Sequence, residues 1–161
     1  KMINITILCV GNLKESYFKS AIAEYQKRLS AYCRFQISEV PESALPDNPS
    51  DTQIAAALEK EGALLQRQIP DRCFVIAMCI EGKQLSSPEF ASLIREKSLY
   101  GDSHFCFIIG SSCGLADTVK ARANLQLSVS KMTFPHQLFR VLLTEQIYRA
   151  FQIIGGGKYH K

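Results

Sequence analysis

No stretch of this sequence reaches the roughly 18 consecutive apolar residues that a membrane-spanning helix needs. The apolar opening run INITILCV stops at Gly11-Asn12 and has neither the basic n-region nor the cleavage site of a secretory signal. The expectation is a soluble, cytoplasmic protein. A strong charge of one sign is also missing. The formal net charge of +4 permits an RNA partner without demanding one. None of the 6 cysteines forms a C-x-x-C pair or has a histidine at ligand spacing, so no metal site is expected. Most lie inside apolar runs, where a reduced thiol acts as a small hydrophobe; Cys113, in a glycine loop, is the exception. Internal repeats and low-complexity tracts are absent. So are the familiar nucleotide signatures, because GSSCGLAD lacks the Gly-Lys-Ser/Thr ending of a P-loop and is not G-x-G-x-x-G.

What is present is the pattern of one globular domain over residues 1–161, 47% hydrophobic and 21% charged. INITILCV (3–10) reads as a buried strand. Residues 15–32 follow as a helix with Phe18, Ile22, Tyr25 and Leu29 on one face. CRFQISEV (33–40) alternates as a strand. A proline-rich loop then leads to Ser50 and Gln53, spaced as a capping box for a helix over 51–68. That helix carries both charge signs and reads as a solvated face. CFVIAMCI (73–80) is a strand covered on both sides, with EGKQLSS as the turn out of it. Ser87 is the expected cap of the next helix, with Pro88 at its first position. FCFIIG (105–110) and LQLSVS (125–130) are further strands around a short helix near 116–123. A last helix runs from about Pro135 to Ile154. Five strands alternating with five helices predict an α/β fold, a mainly parallel sheet with helices on both faces.

Ligands of open α/β sheets bind beyond the carboxyl ends of the strands. Three such ends stand out here: Met78–Gly82, Gly110–Leu115 and Ser128–Phe134. Gly110 and Gly114 either let backbone approach a ligand or simply make a tight turn. The last helix is largely apolar but carries His136, Arg140, Glu145 and Arg149, an unusual density of ionisable groups just after a ligand loop. The tail GGGKYHK reads as a glycine hinge, with Tyr159 able to stack on a base and Lys158 and Lys161 able to meet phosphate.

GSSCGL after a buried strand, LSVSKMTFPHQLFRVLLTEQIYRAF and the closing YHK together resemble the ribosomal RNA large-subunit methyltransferase H family, within the SPOUT class of knotted methyltransferases. The opening INITILCVGNLKESYFKSAIAEYQKRLS is similar to that family's start, so the resemblance spans essentially the whole chain. It implies methyl transfer from S-adenosylmethionine to N3 of a pseudouridine in 23S rRNA on the assembled ribosome. It also implies a C-terminal trefoil knot and a homodimer, with the last helix as the dimer candidate. The cofactor is expected among the three loops, at Met78, Gly110, Val129, Ser130, Lys131, Met132, Thr133 and Phe134, with Met78 and Met132 packing around the adenine.

Catalysis is expected from the last helix and the tail. Arg140, Arg149 and His136 would hold base or phosphate, Tyr159 would position the base, and His160 would accept the N3 proton. One departure from the family pattern is Ser111, where a second glycine is usual. A positive φ there would cost roughly 1 kcal/mol and alter cofactor affinity. Ser111 also keeps a rival reading open, a non-enzymatic ribosome-binding assembly factor with a degenerate pocket. A nucleotide hydrolase is disfavoured by the missing phosphate-loop lysine. A methyltransferase of the same class acting on transfer RNA is the nearest enzymatic rival.

Overall fold

In a computed structural model, which describes residues 2–161, the ten expected elements appear in the expected order. They are β1 (Ile3–Val10), α1 (Ser16–Leu29), β2 (Cys33–Val40), α2 (Asp51–Gln68), β3 (Phe74–Gln84), α3 (Ser87–Leu99), β4 (His104–Ile109), α4 (Asp117–Arg122), β5 (Leu125–Ser128) and α5 (His136–Ile154). The strands form one sheet in the order β2-β1-β4-β3-β5, and every pairing is parallel.

Side-chain alternation divides the core in two. Ile5, Ile7, Ile76, Phe105 and Phe107 point to one face and pack against Leu29 of α1, Phe90 and Ile94 of α3, and Leu143 and Ile147 of α5. Leu8, Val75, Ala77, Cys106 and Ile108 point to the other and meet Leu65 of α2 and Val119 of α4. Burial on both faces is why β1, β3 and β4 read as unbroken apolar runs. Each fully buried Ile or Phe contributes about 1.5–3 kcal/mol relative to exposure.

Three expectations change at the ends of elements. The cap of α3 is Ser86, one residue earlier than expected, because Glu89 then lies three residues on and closes a reciprocal capping box. This frees the Ser87 hydroxyl, which donates to Gln146 Oε1 at 2.6 Å. Residues Glu81–Gln84 are strand rather than turn. The ladder with β5 breaks after Met78 and resumes at Lys83 and Gln84. Gly82 makes the approach feasible, since a Cβ there would lie 2.7 Å from the backbone of Gln126 and Leu127. Finally, β5 stops at Ser128, because side chains turn the chain: Ser128 Oγ donates to the Ser130 carbonyl and Met132 N–H donates to Ser130 Oγ.

The reading of α2 as a solvated face is corrected too. Ala57, Glu61, Gly62 and Leu65 are buried along one stripe of it. Gly62 lets α2 close on α4, a Cβ there falling 3.1–3.2 Å from Val119 and Ala116. Among the described residues no helix is long and apolar enough to cross a membrane, and no cluster of His, Cys, Asp and Glu could hold a metal. All 6 cysteines are free thiols, Cys113 the exposed one.

Candidate active site

The ends of β3, β4 and β5 and the start of α5 enclose a crevice of three adjoining lobes. The first, about 240 Å³, lies between the Leu85–Ser87 turn, Phe90, Leu127–Ser130, and Leu142, Leu143 and Gln146 of α5. No ionisable side chain lines it. The second, about 140 Å³, shares Leu127–Ser130 and Phe134 with the first and is closed by Met78–Ile80, Met132, Thr133 and Phe139. The third, about 730 Å³, opens over the Gly110–Leu115 loop and reaches Glu81, Lys120 and His136.

These are the three strand ends selected from the sequence. Met78, Gly110, Val129, Ser130, Met132, Thr133 and Phe134 all form walls of the crevice. Lys131 is exposed and forms none of these walls. The two methionines differ: Met78 is buried, whereas Met132 is 76% exposed at the rim. On the floor of the third lobe Lys120 pairs with Glu81 at 2.5 Å. Its ammonium holds the Glu81 carboxyl below the usual carboxylate range, and the Lys120 pKa is raised in return.

The glycine loop is tight. Gly114 N–H donates to the Ser111 carbonyl at 2.9 Å, and a Cβ on Gly110 would fall on the Gly114 carbonyl. The positive φ belongs to Gly114, at +89°. Ser111 does not have one, so the expected strain is not there. Its hydroxyl donates to Glu61 Oε1 at 3.0 Å, in the interior.

The second half of the site is built on α5 and the tail. Gly155–Gly157 turn the chain back, Gly157 N–H donating to the Gln152 carbonyl. The tail then packs onto α5 instead of hanging from a hinge. The Tyr159 ring lies edge-on to Tyr148, centroids 4.9 Å apart, and the Arg149 guanidinium sits 4.8 Å from the Tyr159 ring centroid. Glu145 accepts from Arg149 Nε at 2.8 Å and Nη2 at 2.6 Å, and from the Tyr159 hydroxyl at 3.3 Å. Glu145 raises the pKa of Arg149 further. Burial, with Tyr25 and Glu145 alongside, pushes the Tyr159 phenol up to about 12. Tyr159 is therefore a donor at neutral pH. Arg149 Nη1 lies 3.1 Å from His160 Nδ1. A guanidinium only donates, so Nδ1 accepts and the neutral ring carries its proton on Nε2.

A hydrogen-bonded chain joins the two halves. Ser87, in the wall of the first lobe, donates to Gln146 Oε1, and Gln146 Nε2 donates to Glu145 Oε2 at 3.1 Å. The structure thus brings Arg149, Tyr159 and His160 together on α5 and the tail, none of them a wall of the three lobes, and places His136 in the third lobe. Arg140 joins neither group. It is 2% exposed, pairs with Glu39 at 2.6 Å and donates to the Gly11 carbonyl at 3.2 Å. The physical reason is its place on α5, above the ends of β1 and β2, where Glu39 is the nearest anion.

Sequence reasoning missed Glu61, Gln146 and Glu39. For Glu61 a signal existed, since Ala57, Glu61 and Leu65 recur at helical spacing and put the carboxyl on the buried stripe. Gln146 and Glu39 gave none, because their partners lie far along the chain.

Three comparisons bear on this geometry. Residues 3–160 match the model of the family described as "Predicted SPOUT methyltransferase". Proteins named ribosomal RNA large subunit methyltransferase H from Clostridium botulinum (strain 657 / Type Ba4) and Clostridium beijerinckii are each 52% identical over 158 residues. The one from Clostridium tetani is 49% identical. Each alignment covers 98% of this chain and 99% of the relative. A probable methylase family protein from Haemophilus influenzae Rd KW20 shares the fold, with a TM-score of 0.55 at 14% identity, covering 99% of this chain and 71% of that one.

Proposed function

This chain belongs to the SPOUT methyltransferase family, and from that premise we propose that it methylates large-subunit ribosomal RNA, taking the methyl group from S-adenosylmethionine. The target proposed is N3 of a pseudouridine in 23S rRNA within the assembled ribosome, which places its action in the cytoplasm. The observation that carries this reading is the Ser87–Gln146–Glu145 chain, which joins an apolar crevice to a cluster of hydrogen-bond donors.

The residues of the crevice suit the donor. Its adenine matches the apolar first lobe of Leu85, Phe90, Leu127 and Leu142, next to the second lobe of Met78 and Met132 that the sequence suggests for it. The polar ribose and amino-acid parts match the third lobe, where backbone groups of the Gly110–Leu115 loop and the Glu81 carboxylate are available. When bound, the donor supplies an electrophilic methyl on a positively charged sulfur. Displacement from sulfur is in-line, so the work of the protein is to align the base with that axis.

Negative charge develops on the base as its N3 proton leaves. The Arg149 guanidinium, held by Glu145 through Nε and Nη2, is preorganised to meet that charge, and Tyr159, whose hydroxyl proton is given to Glu145, would position the base. Arg149 occupies His160 Nδ1 in the resting arrangement. Turning Arg149 from Nδ1 to the base would free that lone pair for the N3 proton, making His160 the acceptor. His136, in the third lobe, would meet substrate phosphate, and Arg140 remains in the scaffold. The reading further includes a trefoil knot in the C-terminal half and a homodimer formed through α5. If the tail of one chain serves the partner's crevice, activity per chain falls on dilution below the dimer dissociation constant.

The test is calorimetric titration with S-adenosylmethionine and S-adenosylhomocysteine, followed by methyl incorporation into ribosomes and mapping of the modified base. Binding in the micromolar range (about −8 kcal/mol) with methylation at N3 of one pseudouridine is the expected result. Absence of binding by both ligands would overturn the reading in favour of a ribosome-binding assembly factor.

A further inference from the structure

Glu61 is a buried carboxyl that the proposed reaction does not use. It sits mid-way along α2 and is 3% exposed. Among the described residues no cation pairs with it. Burying a carboxyl without a counter-ion costs several kcal/mol unless hydrogen bonds compensate. Both oxygens are accordingly bonded, and both bonds go to loops. Oε1 accepts from Ser111 Oγ at 3.0 Å and Oε2 accepts from the Ser43 N–H at 2.9 Å. Ser111 belongs to the tight Gly110–Gly114 loop of the crevice, and Ser43 to the proline-rich segment that follows β2. One side chain thus ties the edge of the sheet to the loop proposed to hold the methyl donor. The close seating of Gly62 on Val119 and Ala116 fixes the height of α2 at this point, so Glu61 is presented from a rigid support.

We infer that Glu61 is a positioning residue that holds the 110–114 loop, through Ser111, in the shape that receives the methyl donor. Serine at position 111 thereby supplies a side-chain anchor that a glycine there would lack. The inference rests on the crevice being the donor site, and the test separates the two. Loop order is read first in the ligand-free protein, by hydrogen exchange of the amides of residues 111–114. Ser111→Ala and Glu61→Leu each remove the anchor. Glu61→Gln keeps it, since the amide oxygen can serve the Ser43 N–H while its NH₂ donates to Ser111 Oγ.

Exchange of the loop amides is expected to rise about tenfold or more in Ser111→Ala, with the α2 amides unchanged, and to stay near wild type in Glu61→Gln. Affinity for the donor is expected to fall about tenfold in Ser111→Ala and to stay near wild type in Glu61→Gln. Adding Glu61→Leu to Ser111→Ala should then cost little further affinity, because both act through one contact. Wild-type exchange in Ser111→Ala overturns the inference whatever the ligand data show. Loosened loop amides in a protein whose wild type binds no donor would sustain the loop anchor and reject the donor site. Equal affinity losses in Glu61→Gln and Glu61→Leu, tracking melting temperature alone, would reduce Glu61 to a fold residue and overturn its positioning role.

Discussion

Arg140 and Glu39 offer the sharpest test of how the last helix is divided between scaffold and site. Arg140 is 2% exposed and Glu39 41% exposed, so the two ends of the ion pair differ in their access to water. In Glu39→Ala the guanidinium stays buried, with only the Gly11 carbonyl as partner and an Nε that already lacks one. Breaking a buried pair in this way costs about 3–5 kcal/mol, and the lower end is expected because water reaches the position of Glu39. In Arg140→Met an apolar stem still fills the space, while Glu39 turns to solvent. The cost is then about 1–2 kcal/mol, the worth of the lost hydrogen bonds. The double variant should lie close to Arg140→Met, well below the sum of the two single changes. Urea unfolding at neutral pH reads these values directly. At about 2–4 °C per kcal/mol for a chain of this size, Glu39→Ala should lower Tm by roughly 6–12 °C. Arg140→Met assayed below its own unfolding transition should keep kcat within about threefold of wild type. Two results would refute the reasoning: Arg140→Met costing more stability than Glu39→Ala, or a loss of kcat of about a hundredfold at near-normal stability, which would return Arg140 to the reaction.

Arg149→Lys should lower single-turnover methylation of ribosomes at least about tenfold, roughly 1.4 kcal/mol, because a lysine cannot hold Glu145 with two nitrogens and reach His160 as well. Donor affinity measured by calorimetry should be unchanged, and a parallel loss of donor binding would contradict the separation of crevice and cluster. Gly110→Ala would drive a methyl group into the Gly114 carbonyl, so donor binding should disappear; a Kd within about twofold of wild type would show that the loop is not the binding element. The Glu81–Lys120 pair predicts a pH dependence. Glu81 has a depressed pKa in the folded chain, so its contribution is present above the ordinary carboxylate pKa and is lost as pH falls through the folded value. Thermal melts should therefore separate wild type from Glu81→Gln at neutral pH and converge in acid. Glu81 is half-exposed, so the gap should be modest, and a gap that persisted at low pH would rule the pair out as its source.

The ends of elements were readable where the signal is carried by neighbours in the chain. Ser50 and Gln53 marked the start of α2 because a capping box needs only residues three apart. The same local rule placed the α3 cap within one residue and failed to choose between Ser86 and Ser87, since both are serines and only Glu89 separates them. The extension of β3 through Gln84 was not readable, because its pairing with β5 depends on a strand some 40 residues later. The candidate crevice was legible for a different reason. Parallel sheets place ligands at strand ends, and the strand ends were visible as breaks in apolar runs.

The sequence by itself determined the α/β alternation, the buried strands, the three strand-end loops that border the crevice and, through its resemblance, the family. These follow from periodicity, capping and contiguous motif, all of which are local in the chain. Only the tertiary structure decided which partner each polar residue on α5 meets. Arg140 and Arg149 are the same residue type on one helix. One meets a glutamate 101 positions away and is buried against it, while the other meets Glu145 and the returning tail. Glu61 is bound to Ser111 across 50 positions on the same principle. A buried charge takes its role from the partner that satisfies it, and the chain's own order does not record which partner folding will bring.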